Sequence, residues 1–281
     1  MVLEVFILLV DTPSNFNMIF SRKALRDFIN GKLKYQYNEN ITYEEFINMA
    51  YKQLAKHYRN EYYYKNALLN RRLLGVHSIN TAVALSELSV GKSIADFVLL
   101  NGDAVVYEIK TELDDFSRLD DQLQDYFKAF KNVYVVTAES KTAQLKRVLG
   151  DSSVGIIALR RNGSLSRPIK MAQSYSGKLD YTSLFKLLRK QEYLNITEKY
   201  FSGIPNVKPV FLYDACFNLF KTLNIEVAYE AVMGQLKLRN IKEKEAFKKV
   251  PEAIKGLVYF EDLSKKEYDS LFMLLKKQMG G

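Results

Sequence analysis

The chain of 281 residues is long enough for a core domain of about 150 residues and a smaller addition. Hydrophobic residues make up 48% of it and aromatic residues 13%, which excludes the composition of a disordered protein. A formal net charge of +9 favours a polyanionic partner, with nucleic acid first and an acidic membrane second.

The composition also restricts the metal chemistry and the compartment. The single cysteine, Cys216, excludes an intramolecular disulfide and fits a reducing cytoplasm, where we expect it to be a buried apolar residue. With one thiol, His57 and His77 are too few for a His/Cys zinc site, so any metal is expected to have oxygen ligands. The apolar residues 1–10 contain Glu4 and are too short to span a bilayer, so they predict a strand or a packed end in a soluble protein.

Two helices are predicted before residue 76. Thr42, followed by two glutamates, is typical of a helix start, and apolar residues at helical spacing continue to about Tyr58. A second helix is predicted from Tyr62 to Leu74, with Gly75 as its stop. Its three leading tyrosines are more typical of a hydrophobic core than of a base-stacking surface.

The hydrophobic period then changes from helical to strand-like. Two turn sequences, Ser89–Ser93 and Asn101–Asp103, separate three short apolar runs, which predicts an antiparallel meander. The three strands are expected at about residues 83–88, 94–100 and 104–111. Gly91-Lys92-Ser93 resembles the end of a phosphate-binding P-loop, but Ser86 stands where that motif needs a glycine, so ATP binding is not predicted.

Helices and strands are predicted to alternate after the meander. A helical stripe at 118–130 precedes a strand at 133–136, and a helix at about 141–149 precedes a strand at 154–159. The order helix, three strands, helix, strand, helix, strand predicts an α/β fold in which helical crossovers reach the later strands. The pattern becomes helical throughout beyond a boundary near residues 165–178.

These elements predict three consecutive regions. Residues 1–75 are expected to form a helical extension packed on the core, residues 76–165 the α/β core, and residues 175–281 an all-helical domain. The last region is expected to provide substrate contacts, a homodimer interface or a surface for a protein partner. Its lysines are more typical of a solvated helix face than of a nucleic-acid groove.

Three acids and one lysine lie on the predicted meander: Glu87, Asp96, Glu108 and Lys110. Alternate residues of a strand share a face, so Glu108 and Lys110 are expected to point the same way. A three-residue turn at 101–103 places Asp96 opposite Glu108, with β-carbons about 5 Å apart, whereas a two-residue turn places Asp96 on the other face. Glu87, on the neighbouring strand, is expected to supply a third oxygen ligand.

This set of residues fits the hydrolysis of a phosphodiester bond. Two or three carboxylates suit Mg²⁺ or Mn²⁺ and leave positions for a phosphate oxygen and the attacking water. The cation would stabilise charge in the transition state, and Lys110 would orient the water. Exposed strand charges without a catalytic role are the alternative explanation.

Ala95-Asp96 and Glu108-Ile109-Lys110 resemble the Asp…(Glu)-x-Lys signature of the PD-(D/E)XK nuclease superfamily, with Ala95 in place of the proline. On the helix after the lysine, Gln122 and Tyr126 resemble the Gln-x-x-x-Tyr motif of the branch that contains RecB-like and Cas4-like nucleases. A surface amide and a helix-face tyrosine are the alternative explanation for that pair. The stretch 66–137 also resembles an uncharacterised bacterial subfamily.

The resemblance covers about residues 40–165 and implies a restriction-endonuclease-like αβββαβ core in a Mg²⁺- or Mn²⁺-dependent nuclease. It implies that Glu87, Asp96 and Glu108 bind the metal and that Lys110 assists the water. In that branch the glutamine and tyrosine help to hold nucleic acid near the metal.

The sequence therefore predicts a bacterial, cytoplasmic nuclease that acts on DNA in preference to RNA. Defence against phage or processing of mobile DNA would suit the resemblance, as a family-level analogy. Two alternatives stay open. The first is a catalytically inactive nuclease fold that binds nucleic acid, and the second is a regulatory subunit of a larger complex.

Overall fold

A computed structural model describes residues 4–7, 13–36 and 40–279 of the chain. The chain forms two compact units. Unit 1 contains the described residues of Met1–Val76, Asn162–Ser164 and Ile241–Gly281, and unit 2 contains His77–Arg161 and Leu165–Asn240. This division differs from the three consecutive regions expected from the sequence, because the helices after residue 165 are shared between the two units.

The helices and strands follow one another in three groups. The first group is β1 (Glu4–Ile7), α1 (Pro13–Ile19), α2 (Arg22–Ile29), β2 (Leu33–Gln36), α3 (Tyr43–His57) and α4 (Glu61–Leu68). The second is β3 (Val83–Val90), β4 (Ser93–Asn101), β5 (Asp103–Lys110), α5 (Leu119–Tyr126), β6 (Asn132–Ala138), α6 (Thr142–Leu149) and β7 (Gly155–Leu159). The third is α7 (Tyr181–Lys186), α8 (Lys190–Tyr200), α9 (Leu212–Phe220), α10 (Ile225–Lys237), α11 (Lys244–Lys248), α12 (Lys255–Glu261) and α13 (Lys265–Leu275).

Unit 1 contains the two helices predicted before residue 76. Thr42 caps α3 in a capping box, since its Oγ1 accepts from the Glu45 N–H at 3.2 Å and Glu45 Oε2 accepts from the Thr42 N–H at 2.7 Å. α4 continues as a π-helical turn over Leu69–Leu73. Tyr63 and Tyr64 are buried in this unit, which confirms that they are core residues.

Unit 2 is built on a five-stranded mixed sheet in the order β3-β4-β5-β6-β7. The first three strands are antiparallel, and β6 and β7 run parallel to β5. The predicted meander and the later alternation of helices and strands are confirmed, and the chain is an α/β protein. The helices α5 and α6 form the crossovers that a parallel connection requires.

One face of this sheet carries the hydrophobic core of unit 2. Alternating residues of the central strands point into it, and so do residues of the crossover helices and of α7–α10. Its members include Val98, Leu100, Val106, Val133, Val135, Leu119, Leu123, Leu145, Phe185 and Val232. Cys216 is also buried there, as expected from the sequence. Within the described residues, no helix is both long and apolar enough to cross a bilayer.

Candidate functional site

β4 and β5 pair in the register that a turn at 101–103 predicts, with Phe97 opposite Tyr107. Continued by one residue, this register places Asp96 opposite Glu108. Residues opposite each other in an antiparallel pair share a face of the sheet. The register on which the predicted carboxylate pair depended is therefore confirmed.

Glu108 lies at the centre of a buried polar cluster. The side chain is only 1% exposed, and its Oε2 accepts from the Tyr126 O–H at 2.6 Å. Its Oε1 lies 3.0 Å from Lys110 Nζ, which also donates to Gln122 Oε1 at 2.7 Å. Four residues singled out in the sequence are thus joined by direct contacts, and we call Glu108, Lys110, Gln122 and Tyr126 the Glu108 cluster.

The local structure explains why these four side chains meet. Glu108 and Lys110 are two residues apart on β5 and so share the face that α5 covers. Gln122 and Tyr126 are four residues apart on α5, which places them one above the other on one side of the helix. Leu123 on the same helix is buried in the core and fixes this side against the sheet.

The Asp96 side chain contacts the main chain of β5 next to Glu108. The side chain is half-buried, and its Oδ2 accepts from the Ile109 N–H at 2.7 Å, next to the peptide of Glu108. Burial, together with the nearby carboxylates of Glu108 and Asp96, raises the pKa of the Tyr126 phenol far above its usual range. Tyr126 therefore stays protonated and donates its hydrogen bond to Glu108.

Glu87 does not join these acids as a third ligand. It would lie opposite Asp96 in the register of β3 and β4, but this pair is missing from the ladder, and Glu87 has a φ of 56° and is exposed. A left-handed backbone departs from regular strand geometry. In the part of the chain that the structure describes, no three His, Cys, Asp or Glu residues are arranged to hold a metal ion. The expected three-carboxylate set is thus not assembled.

The remaining pair, Asp96 and Glu108, has the chemistry that a hard divalent cation requires. Mg²⁺ is commonly held by one or two carboxylates and keeps several of its waters. A carboxylate oxygen that accepts one hydrogen bond has a second lone pair available. The Tyr126 O–H and the Ile109 N–H fix the orientation of the two carboxylates, and carboxylate oxygens are the type of ligand that such a cation takes.

Asp125, which the sequence did not single out, holds the turn between β3 and β4. Its Oδ2 accepts from the Lys92 N–H at 2.8 Å and from Ser93 Oγ at 2.9 Å, and its Oδ1 lies 2.7 Å from Lys128 Nζ. Burial raises the pKa of this carboxyl, but these hydrogen bonds outweigh it and lower the pKa below its usual value. Gly91 has a φ of 62°, and a Cβ there would lie 2.4 Å from Asp125 Oδ1. Gly91-Lys92-Ser93, which resembled the end of a P-loop, is thus a hairpin turn held by hydrogen bonds to Asp125.

Two acids after β5 order the loop that leads to α5. Asp114 Oδ2 accepts from both the N–H and the O–H of Thr111, each at 2.7 Å. Asp115 Oδ1 accepts from the Ser117 N–H at 2.9 Å, and hydrogen bonds from Ser117 lower the pKa of that carboxyl. These bonds hold the chain between Lys110 and Gln122.

The model of a protein family described as Bacteriophage P4 protein cII matches residues 54–271 of the 281-residue chain. Protein cII of Enterobacteria phage P4 is 33% identical over 92 residues, which cover 32% of this chain and 34% of that protein. The chain thus spans about a third of the length of this curated relative.

Among solved structures, a protein of unknown function from Silicibacter pomeroyi matches with a TM-score of 0.32 and 16% identity. The match covers 47% of this chain and 86% of that one. A similarity this low does not indicate a shared fold.

Proposed function

The chain belongs to the family of bacteriophage P4 protein cII, and we propose that it is a metal-dependent nuclease that hydrolyses phosphodiester bonds in DNA. The observation that carries this proposal is the Glu108 cluster, in which a buried carboxylate and a buried ammonium group meet beside Asp96. In the same proposal, residues 76–165 form a PD-(D/E)XK nuclease core, as the motif resemblance implies.

Buried charges support a functional role because they are costly to fold. An ion pair away from water seldom stabilises a protein more than apolar side chains of the same shape would. Glu108 is 1% exposed and Lys110 is 8% exposed, and both stand on a strand whose neighbouring positions are apolar. Buried charges that are retained at this cost are candidates for a role in binding or catalysis.

Each residue of the site has a proposed role. Asp96 and Glu108 would hold a Mg²⁺ or Mn²⁺ ion, which when bound supplies charge stabilisation to the phosphate in the transition state. Lys110, positioned by Glu108 Oε1 and Gln122 Oε1, donates a hydrogen bond to the attacking water. Tyr126 fixes the Glu108 carboxylate through its O–H.

A second candidate function is nucleic-acid binding without cleavage. The ion pair of Lys110 with Glu108 occupies one carboxylate oxygen, and no group of three potential metal-binding residues occurs among the described residues. A protein of this kind would use its net charge of +9 to bind the phosphate backbone and would form no products.

The deciding experiment incubates the protein with linear, circular and single-stranded DNA and with RNA, in Mg²⁺, Mn²⁺ or a chelator. We expect cleavage that requires the metal and that is lost in Asp96→Asn and Lys110→Ala. Asp96→Asn removes a charge while keeping an acceptor for the Ile109 N–H. Circular dichroism checks that both variants remain folded.

The matched controls come from an exposed ion pair. Glu245 Oε1 and Lys248 Nζ lie 2.5 Å apart on α11, and the two side chains are 83% and 52% exposed. Surface ion pairs of this kind contribute little to stability. Glu245→Ala and Lys248→Ala should cut as the natural sequence does. If the protein binds nucleic acid in a salt-sensitive manner but forms no product with any metal, the nuclease proposal is wrong and binding without cleavage is favoured. Undiminished cutting by both site variants would remove the Glu108 cluster from the proposal.

The pathway and the cellular setting are further parts of the proposal. The family carries the name of a phage protein, and we place the activity in phage defence or in the processing of mobile DNA within the bacterial cytoplasm. The helices after residue 175 stay a predicted surface for substrate, a second copy or a protein partner.

A further inference from the structure

Thr137 on β6 carries a buried hydroxyl for which the described residues provide no hydrogen-bond partner. The residue is fully buried, and within the described part of the chain its Oγ1 makes no hydrogen bond. An unsatisfied buried hydroxyl costs free energy of folding, whereas a valine of nearly the same shape has no polar atom to satisfy. A polar group that is kept at such a cost calls for a ligand.

The strand register places this hydroxyl beside the Glu108 cluster. In the parallel pair of β5 and β6, Glu108 lies opposite Val135 and Lys110 lies opposite Thr137. Partners in this register share a face, so Thr137 occupies the position next to Lys110 on the side of the sheet that α5 covers. Val133 and Val135, the other residues of β6 on this side, are part of the apolar core.

The position along the strands also suits a bound reactant. Lys110 is the last residue of β5, and Thr137 is the last residue but one of β6. The carboxyl ends of parallel strands meet at one edge of a sheet, and ligands of open α/β sheets bind beyond that edge. Lys110 and Thr137 therefore occupy neighbouring positions at this edge of the sheet.

We propose that Thr137 is a positioning residue for the attacking water, an inference that rests on the proposed nuclease function. The water accepts a hydrogen bond from Lys110 Nζ and donates one to Thr137 Oγ1, which leaves its lone pair directed at phosphorus. The water oxygen then forms a bond to phosphorus and the bond to the leaving oxygen breaks. That oxygen takes up a proton as the water gives one up.

The test compares Thr137→Val, Thr137→Ser and the control Thr197→Val on the DNA that the natural sequence cuts. Thr197 is another buried threonine, but its Oγ1 already donates to the Tyr193 carbonyl oxygen at 2.9 Å. We expect Thr137→Val to lower kcat about tenfold, because one hydrogen bond to the reacting water is lost, with KM unchanged within about twofold. Thr137→Ser should retain most of kcat, and Thr197→Val should retain kcat and KM.

Urea unfolding separates positioning from a structural role. Thr137→Val should be as stable as the natural sequence or more stable, since it removes an unsatisfied polar atom. An unchanged kcat, a rise in KM alone, an equal loss in Thr137→Ser, or a loss of stability in Thr137→Val would each overturn the inference. Absence of cleavage by the unmodified protein would refute the proposed function and this role with it. Normal cleavage by Thr137→Val would refute this role alone.

Discussion

Each of the two units contains a buried polar cluster, and the two clusters differ in the groups that their side chains contact. In unit 1, Asn66 is fully buried, and its Nδ2 donates to the Tyr51 hydroxyl and to the Glu252 carbonyl oxygen, each at 2.8 Å. Its Oδ1 accepts from the Gly256 N–H at 2.8 Å. Tyr62 adds a bond from its O–H to the Ala253 carbonyl oxygen at 2.5 Å.

The Glu108 cluster of unit 2 uses charged side chains instead. Lys110 contacts both the Glu108 carboxylate and the Gln122 amide. Thr137 is the neighbour of Lys110 on β6, and its hydroxyl has no hydrogen-bond partner among the described residues. The Asn66 contacts satisfy main-chain groups at the start of α12, which is what a helix terminus requires. Neutral polar groups that bind main chain hold a fold together, whereas we propose that the buried charges of the Glu108 cluster serve the reaction. Mutations in the two clusters should therefore affect different measurements.

The largest effect is expected for Glu108→Gln in unit 2. It keeps the shape and an acceptor for Lys110 but removes the charge, so cleavage should fall at least about a hundredfold while the free energy of unfolding changes by less than about 2 kcal/mol. Single-turnover cleavage and urea unfolding measure the two effects. A variant that unfolds but cuts normally in its folded fraction would make this cluster a structural one.

Asn66→Ala in unit 1 should show the opposite pattern. It leaves the buried Gly256 N–H and the Glu252 carbonyl unpaired, so the free energy of unfolding should drop by about 3 kcal/mol without a specific change in kcat. Urea unfolding is the measurement, and the exposed Asn206→Ala should stay within about 0.5 kcal/mol of the natural sequence. A loss of kcat at full stability would contradict the contrast between the units.

Asp125 tests whether a charged group of unit 2 can be purely structural. Asp125→Asn should lower the free energy of unfolding by about 1 to 2 kcal/mol at pH 7, since it weakens the hydrogen bonds of Lys92, Ser93 and Lys128. The folded pKa lies below the unfolded one, so this stabilisation is complete above about pH 4 and is lost as the pH falls through the folded pKa. A difference between the two proteins that does not shrink in acid would show that the carboxylate charge is not its source.

The smallest effect is expected for Tyr126→Phe. The variant loses the O–H that donates to Glu108 Oε2 at 2.6 Å and to the Ile94 carbonyl oxygen at 2.8 Å, but it keeps the buried ring. Cleavage should fall about fivefold, with a destabilisation of about 1 kcal/mol. Cleavage kinetics and thermal unfolding record both changes, and unaltered cleavage would show that Glu108 is held in place without the tyrosine.

The sequence predicted much of the fold and part of the site. The period of the apolar residues predicted the meander, the crossovers and the helices α3 and α4. The register of β4 and β5 is the one that the three-residue turn predicted, of the two turns that the sequence left open. The spacing of Gln122 and Tyr126 predicted that one side of α5 carries both. These features depend on residues close in the chain, where strand alternation and helical periodicity govern side-chain direction.

Other features could not be predicted because they depend on contacts between distant segments. The left-handed backbone of Glu87 interrupts an otherwise regular strand, and no residue type at that position signals it. Asp125 lies 33 residues from the Lys92 N–H that it binds. The predicted strand ended at Val136, one residue before Thr137. Only the pairing of β5 with β6 places Thr137 beside Lys110.

By itself, the sequence determined that an acid and a lysine share one face of a strand and that a second acid lies across the turn, because backbone geometry repeats every two residues. The tertiary structure alone decided that Glu108 and Lys110 are buried, that α5 covers them and that Glu87 does not join them. It also decided that the last helices pack with the first ones in unit 1. Burial and partner choice depend on which apolar surfaces meet, and that is a property of the whole folded chain.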